Sequence, residues 1–183
     1  MIKTYIFIVV AFLTASLKAQ EASLINWMTL EEAVAAQAKE PRKIIMDAYT
    51  TWCGPCKMLD KNTFHNKDVA DYINENYYAV KFNAEGNSVV SFQGKKFSNP
   101  NYIPNKQGRN NQHELAGYLG VTAYPTIIFL DEDDTLLLPL KGYHSPSQLE
   151  LYLKLFATNK FKEITTKEQF QQYAKDFVPD FKP

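Results

Sequence analysis

Cysteine is almost missing from this chain. Cys53 and Cys56 are the only two in 183 residues, so a zinc site would have to find its remaining ligands elsewhere. Histidine cannot supply them: His65, His113 and His144 show no ligand-like spacing and read as solvated or capping residues, and no metal is expected. Neither sign of charge prevails, with 20 basic and 20 acidic residues. That balance carries no footprint for nucleic acid, and no nucleic-acid partner is expected. Also missing are a glycine-rich nucleotide-binding fingerprint, an internal repeat and a low-complexity tract.

A long apolar run is missing too. Tyr5 to Leu13 is too short to span a membrane comfortably. It follows a basic start, Met1-Ile2-Lys3, and precedes small residues at Ala15, Ser16 and Ala19. This arrangement predicts a secretory signal peptide over 1–19, cut near Ala19 or Gln20, with a retained anchor as the competing reading. No cysteine stands near the cut to carry a lipid. Removal of the segment takes away Lys3 and Lys18 and leaves 18 basic against 20 acidic residues, a net charge near −2. Residues 20–183 then suit one domain with a hydrophobic core. The mature protein is expected to be soluble, not membrane-spanning, and periplasmic or secreted. An exposed dithiol in such a compartment is oxidised unless something keeps it reduced.

What the chain does have is Trp52-Cys53-Gly54-Pro55-Cys56-Lys57. Upstream, Lys43 to Tyr49 reads as a strand; downstream, Lys57 to Thr63 has helix-forming composition. The first sulfur is thereby placed at a helix N-terminus, where free N–H groups and the helix dipole stabilise a thiolate. Gly54 is expected to allow a tight turn, and Pro55 sits where a first-turn proline loses no needed N–H. A purely structural disulfide would close too short a loop to constrain the unfolded chain. Reversible thiol–disulfide exchange is the chemistry this spacing serves.

Trp-Cys-Gly-Pro-Cys-Lys resembles the active-site motif of the thioredoxin family, and three further stretches agree with it. Asp47 lies where the family carries a buried acid beneath the dithiol. Lys81-Phe82-Asn83 resembles its Lys-x-Asn, and Tyr124-Pro125-Thr126 resembles its cis-proline loop. The likeness covers about residues 24 to 157; 84–111 and the tail from 158 to 183 depart from it. It implies an α/β thioredoxin fold, a central mixed β-sheet flanked by helices, with an inserted hairpin or loop segment at 84–111 and a C-terminal helical extension. It implies Cys53 as nucleophile and the more exposed sulfur, and Cys56 as resolving thiol. Asp47, buried and so raised in pKa, would accept the proton of Cys56. Lys81 either pairs with Asp47 or snorkels to water. Trp52, Gly54, Pro55, Tyr124 and Pro125 would contact substrate, Tyr124 through its backbone as in strand addition, with Tyr49 either beside them or in ordinary packing. Pro125 is expected to be cis.

Along the rest of the chain, capping patterns mark helix starts at Thr29, Asn66, Ser145 and Thr165 or Thr166. Leu30, Ala33, Val34 and Ala38 form the predicted inner face of the first helix. Tyr77 to Asn83 and Thr126 to Leu130 read as strands. Gln112 to Leu119 reads as a short helix stopped by Gly120, and Leu136 to Lys141 as an edge strand because of Pro139. Within the inserted segment, rich in Asn, Gly and Pro and not expected to add to the core, Val89–Phe92 and Lys96–Asn99 are predicted to pair across a Gly94-Lys95 turn, with Phe92 opposite Phe97. The segment is expected either to border the dithiol and select partners, Lys95 and Lys96 favouring acidic ones, or to be a surface loop.

The function this implies is an exported thiol–disulfide oxidoreductase reducing protein substrates, with the Cys53–Cys56 disulfide as its redox group and no cofactor. A reductase of this kind needs a membrane-bound electron donor. The competing readings are an interaction module on a thioredoxin scaffold and a disulfide oxidase or isomerase. A peroxidase lacks a further cysteine.

Overall fold

The structure, a computed structural model, describes residues 24–182; the predicted signal peptide lies outside them. A two-residue strand, β1 (Trp27–Met28), leads into α1 (Leu30–Gln37). Thr29 and Glu32 form the expected capping box, with the Glu32 carboxylate accepting from the Thr29 N–H at 2.8 Å. Ala38, predicted on the inner face, is exposed. Gln37 is buried instead because its amide donates to the carbonyls of Arg42 at 2.6 Å and Asp131 at 3.1 Å, neutralising loop backbone.

β2 (Lys43–Tyr49) is the middle of a five-stranded sheet of order β1-β3-β2-β6-β7, with β3 Tyr77–Asn83, β6 Thr126–Leu130 and β7 Leu136–Lys141. β1, β3 and β2 run parallel, while β6 and β7 run antiparallel to their neighbours. β2 is covered on both faces, which is why it reads as a nearly continuous apolar run rather than an alternation. β7 is an edge, as Pro139 requires.

The pleat of β2 divides its side chains between two cores. Ile44, Met46 and Ala48 pack with α1 and with Leu115, Ala116 and Leu119 from and beside α4 (Glu114–Tyr118). Ile45 packs on the other face with α3 (Lys67–Asn76) and α5 (Pro146–Ala157). The caps at Asn66 and Ser145 and the inner face Val69, Ala70 and Ile73 are as predicted.

One segment departs from expectation. The insertion does contribute to the core: Val90, Phe92 and Phe97 are buried against Leu115 and Leu119. Its hairpin, β4 (Val90–Phe92) with β5 (Lys95–Phe97), turns at Gln93-Gly94, one residue earlier than predicted. Both turn residues have positive φ (48° and 72°), and a two-residue turn of that hand wants its glycine second. The register is consequently Phe92 opposite Lys95 and Val90 opposite Phe97. The C-terminal extension forms α6 (Lys167–Asp176), capped by Thr166, and lays Phe170 and Tyr173 on the second core. Its last residues are held by the buried Glu150, whose carboxylate accepts from the N–H groups of Asp180 and Phe181 and from Lys154 at 2.6–3.0 Å. No helix among the described residues is long and apolar enough to cross a membrane.

Candidate active site

β2 and β3 end side by side, and the chain leaving β2 reaches Cys53 after a short turn in which the Cys53 N–H donates to the Thr50 carbonyl at 3.3 Å. Cys53 caps α2 (Gly54–Leu59), its Sγ accepting from the Cys56 N–H at 3.1 Å, and Pro55 stands in the first turn. The helix widens into a π-helical stretch, Asp60–Phe64. Cys53 and Cys56 form a disulfide. Gly54 does not make the predicted tight turn: it is the first helical residue, without a positive φ. A methyl added there would meet nothing within 4 Å, so the position opens to solvent.

The two cysteines line different spaces. Cys53 lines a groove of about 460 Å³ with Trp52, Pro55, Arg109 and Tyr124. Cys56 lines a pocket of about 250 Å³ with Asp47, Asp60 and Lys81. Exposure does not separate them, contrary to the expectation that Cys53 is the more exposed: the residues are 2 % and 4 % accessible. What distinguishes them is position, one at the cap facing the groove and one facing the acid.

Asp47 and Lys81 meet because of register. They are paired across the parallel β2–β3 ladder and point to the same face, so the ammonium lies 3.0 Å from Asp47 Oδ2. Lys81 therefore pairs rather than snorkelling free. Its ammonium is flanked by rings, with Nζ 4.7 Å from the Trp27 centroid and 5.4 Å from those of Tyr49 and Phe64; Tyr49 is thus a packing partner of Lys81 on the acid side. Burial pushes the Asp47 carboxyl above the usual carboxylate range, and the Lys81 charge opposes but does not cancel this. Asp47 Oδ1 has no hydrogen-bond partner. Burial works against the Lys81 charge as well, yet its carboxylate neighbours hold its pKa above the ordinary value.

The second of those carboxylates is Asp60, which also ion-pairs with Lys81. The sequence reading missed it, although its spacing from Cys56 (i, i+4) puts both on one helix face. Asp60 draws the ammonium away from Asp47 and adds a second negative charge that raises the Asp47 pKa. Asp60→Asn is expected to lower the Asp47 titration midpoint, measured on its carboxyl carbon by NMR. An unmoved or higher midpoint would show that Asp60 does not tune the acid.

On the Cys53 side, the Tyr124–Pro125 peptide is cis, and the Trp52 and Tyr124 rings meet edge-to-face at 6.0 Å. Burial, and then the charge of Glu85, raise the Tyr124 phenol above its usual pKa. The insertion reaches this groove through Glu85 and Arg109, residues with no local signal in the sequence. The Glu85 carboxylate accepts from Trp52 Nε1 and from the Asn110 N–H, both at 2.7 Å. The Arg109 guanidinium lies over the Trp52 ring, 4.6 Å from its centroid. Lys95 and Lys96 do not line the groove; the Lys95 ammonium sits over Tyr118. His113 is wholly buried at the start of α4, its Nδ1 accepting from the Leu115 N–H at 3.1 Å and its Nε2 2.8 Å from the Ser88 carbonyl. It caps, as expected, and ties down the insertion. No group of three or more His, Cys, Asp or Glu among the described residues is placed to hold a metal.

A cysteine pair at the carboxyl ends of parallel strands, capping a helix and accompanied by a cis-proline loop, defines a thiol–disulfide oxidoreductase. The thioredoxin-like domain family matches residues 30–157, and the chain belongs to it. It is similar to the thiol:disulfide interchange protein DsbD of Pectobacterium atrosepticum, 24 % identical over 125 residues that make up 67 % of this chain but 18 % of that protein. Among solved structures it resembles a thioredoxin-fold protein from Helicobacter pylori, with a TM-score of 0.56 and 18 % identity, covering 74 % of this chain and 81 % of the other. A candidate disulphide-isomerase from Bacteroides thetaiotaomicron is 28 % identical with a TM-score of 0.50, covering 74 % and 94 %.

Proposed function

We propose that the protein is exported and reduces disulfides in protein substrates, with Cys53 as nucleophile and Cys56 as resolving thiol. The observation that carries these roles is the placing of the two cysteines in the linings of separate spaces, Cys53 in the groove and Cys56 in the pocket with Asp47 and Lys81. The Cys53 thiolate attacks one sulfur of the substrate disulfide, forming a mixed disulfide and releasing the other sulfur as a thiolate. Asp47 takes the proton of the Cys56 thiol, and the Cys56 thiolate attacks Cys53 Sγ. The second substrate thiolate departs and is protonated, leaving the substrate reduced and Cys53–Cys56 oxidised. Trp52, Gly54, Pro55 and Tyr124 are the contact surface, and Pro125 holds the Tyr124 backbone for an extended substrate strand.

Gly54-Pro55 between the cysteines supports the reductive direction, since it resembles reducing members of the family. The sequence pattern over 1–19 and the likeness to an interchange protein support export to the periplasm. Each turnover consumes two electrons, so a membrane-bound dithiol donor must return them. Equilibration with glutathione or dithiothreitol buffers tests the direction. A potential near about −270 mV is expected, and one near about −120 mV would make the protein an oxidant.

A further inference from the structure

The insertion places one cationic residue in the groove beside the nucleophile, and nothing in the reaction described above uses it. Arg109 is exposed, and its guanidinium rests on the Trp52 face with no carboxylate partner among the described residues. A guanidinium held over an aromatic face still has N–H groups to donate, and these can grip a carboxylate. The arrangement is pre-set rather than adventitious. Glu85 binds the indole N–H of Trp52 with the same oxygen that accepts from the Asn110 N–H, so the ring and the residue next to Arg109 share one buried anchor. Among the described residues, Glu85 is the only acid that lines the groove. Oε2 is turned to these two donors, and Glu85 makes no ion pair with Arg109, although its negative charge stays in the groove.

We propose that Arg109 selects substrates carrying a carboxylate side chain close to the disulfide that Cys53 attacks, so that the preferred partners are protein segments with Asp or Glu flanking the cysteine. This rests on the reductase reading above and adds the substrate class. It assigns to a single arginine a preference for acidic partners that Lys95, over Tyr118, and Lys96 do not provide, since neither lines the groove. Held over Trp52, the cation lines the same groove as Cys53 and Tyr124.

The test uses the reduced protein and two disulfide-bonded peptides that differ only in Glu or Gln beside the cysteine. Second-order rate constants are read by acid quench and mass spectrometry. The wild type is expected to favour the Glu peptide about three- to five-fold, the worth of one partly exposed charge pair, with the ratio falling toward one in high salt. Arg109→Gln should bring the ratio to about one, Arg109→Lys should keep part of it, and Arg109→Glu should invert it. A wild-type ratio of one, or a ratio unchanged in Arg109→Gln, overturns the proposal while leaving the reductase reading intact. Failure of the wild type to react with either peptide removes that reading, and the proposal with it.

Discussion

Cys53→Ser is expected to abolish reduction of a protein disulfide, whereas Cys56→Ser keeps the first step and accumulates a covalent adduct with substrate. The difference follows from which space each sulfur faces. With serine at 53 no thiolate meets the groove, and Cys56 looks toward Asp47 instead. With serine at 56 the attack still occurs, but nothing displaces Cys53 from the mixed disulfide. Because exchange is all-or-none in its nucleophile, the loss at 53 should exceed about 10³-fold in rate. Non-reducing electrophoresis and intact mass of substrate mixtures report both outcomes. Adducts recovered from Cys53→Ser and none from Cys56→Ser would reverse the assignment.

Asp47→Asn is expected to slow turnover at neutral pH while making the oxidised protein more stable. The wild-type carboxyl is buried, one of its oxygens is unpartnered, and burial raises its pKa in the fold. The unfolded chain therefore releases this proton at lower pH than the folded one. Folding stability is greatest below the usual carboxylate range and declines as pH rises through the raised folded value. Removing one partner of a buried ion pair ordinarily costs stability by stranding the other charge. Here Lys81 is partly exposed and keeps Asp60, so the desolvation cost of Asp47 decides the sign. A gain of about 1–3 kcal/mol at neutral pH is expected, read as a shift of the urea midpoint at unchanged slope. The wild-type and Asp47→Asn curves should converge as pH falls into the carboxylate range. A lower midpoint for Asp47→Asn at neutral pH would mean that the Lys81 pair outweighs burial.

How far the sequence foretold this site depends on the range over which each feature is encoded. The bounds of β2, β3 and β6, the caps at Thr29, Asn66 and Ser145, and the place of Cys53 at the start of α2 are set by neighbours a few residues apart, and all were legible. The pairing of Asp47 with Lys81 was half legible, because it needs the strand register as well as the residue types. Arg109 was not, since its place over Trp52 is fixed by Glu85, 33 residues from the indole it binds. The hairpin slipped by one residue because Gln93 adopts a positive φ that its side chain does not announce. Its burial went unseen because the insertion is rich in Asn, Gly and Pro while a few of its apolar residues, Val90, Phe92 and Phe97 among them, carry its packing.

That packing has an evolutionary consequence. Val90, Phe92 and Phe97 tie the insertion to the same core that holds α1 and α4, and His113 is bound to it from within. The stretch from about 101 to 109 stands outside that core and is almost entirely exposed. Substitutions in the first group cost folding, as core truncations do, while those in the second are nearly free. On the role proposed for Arg109, a lineage carrying this insertion would exchange one partner for another by drifting at a few surface positions, Arg109 among them, while purifying selection would keep the hairpin packed.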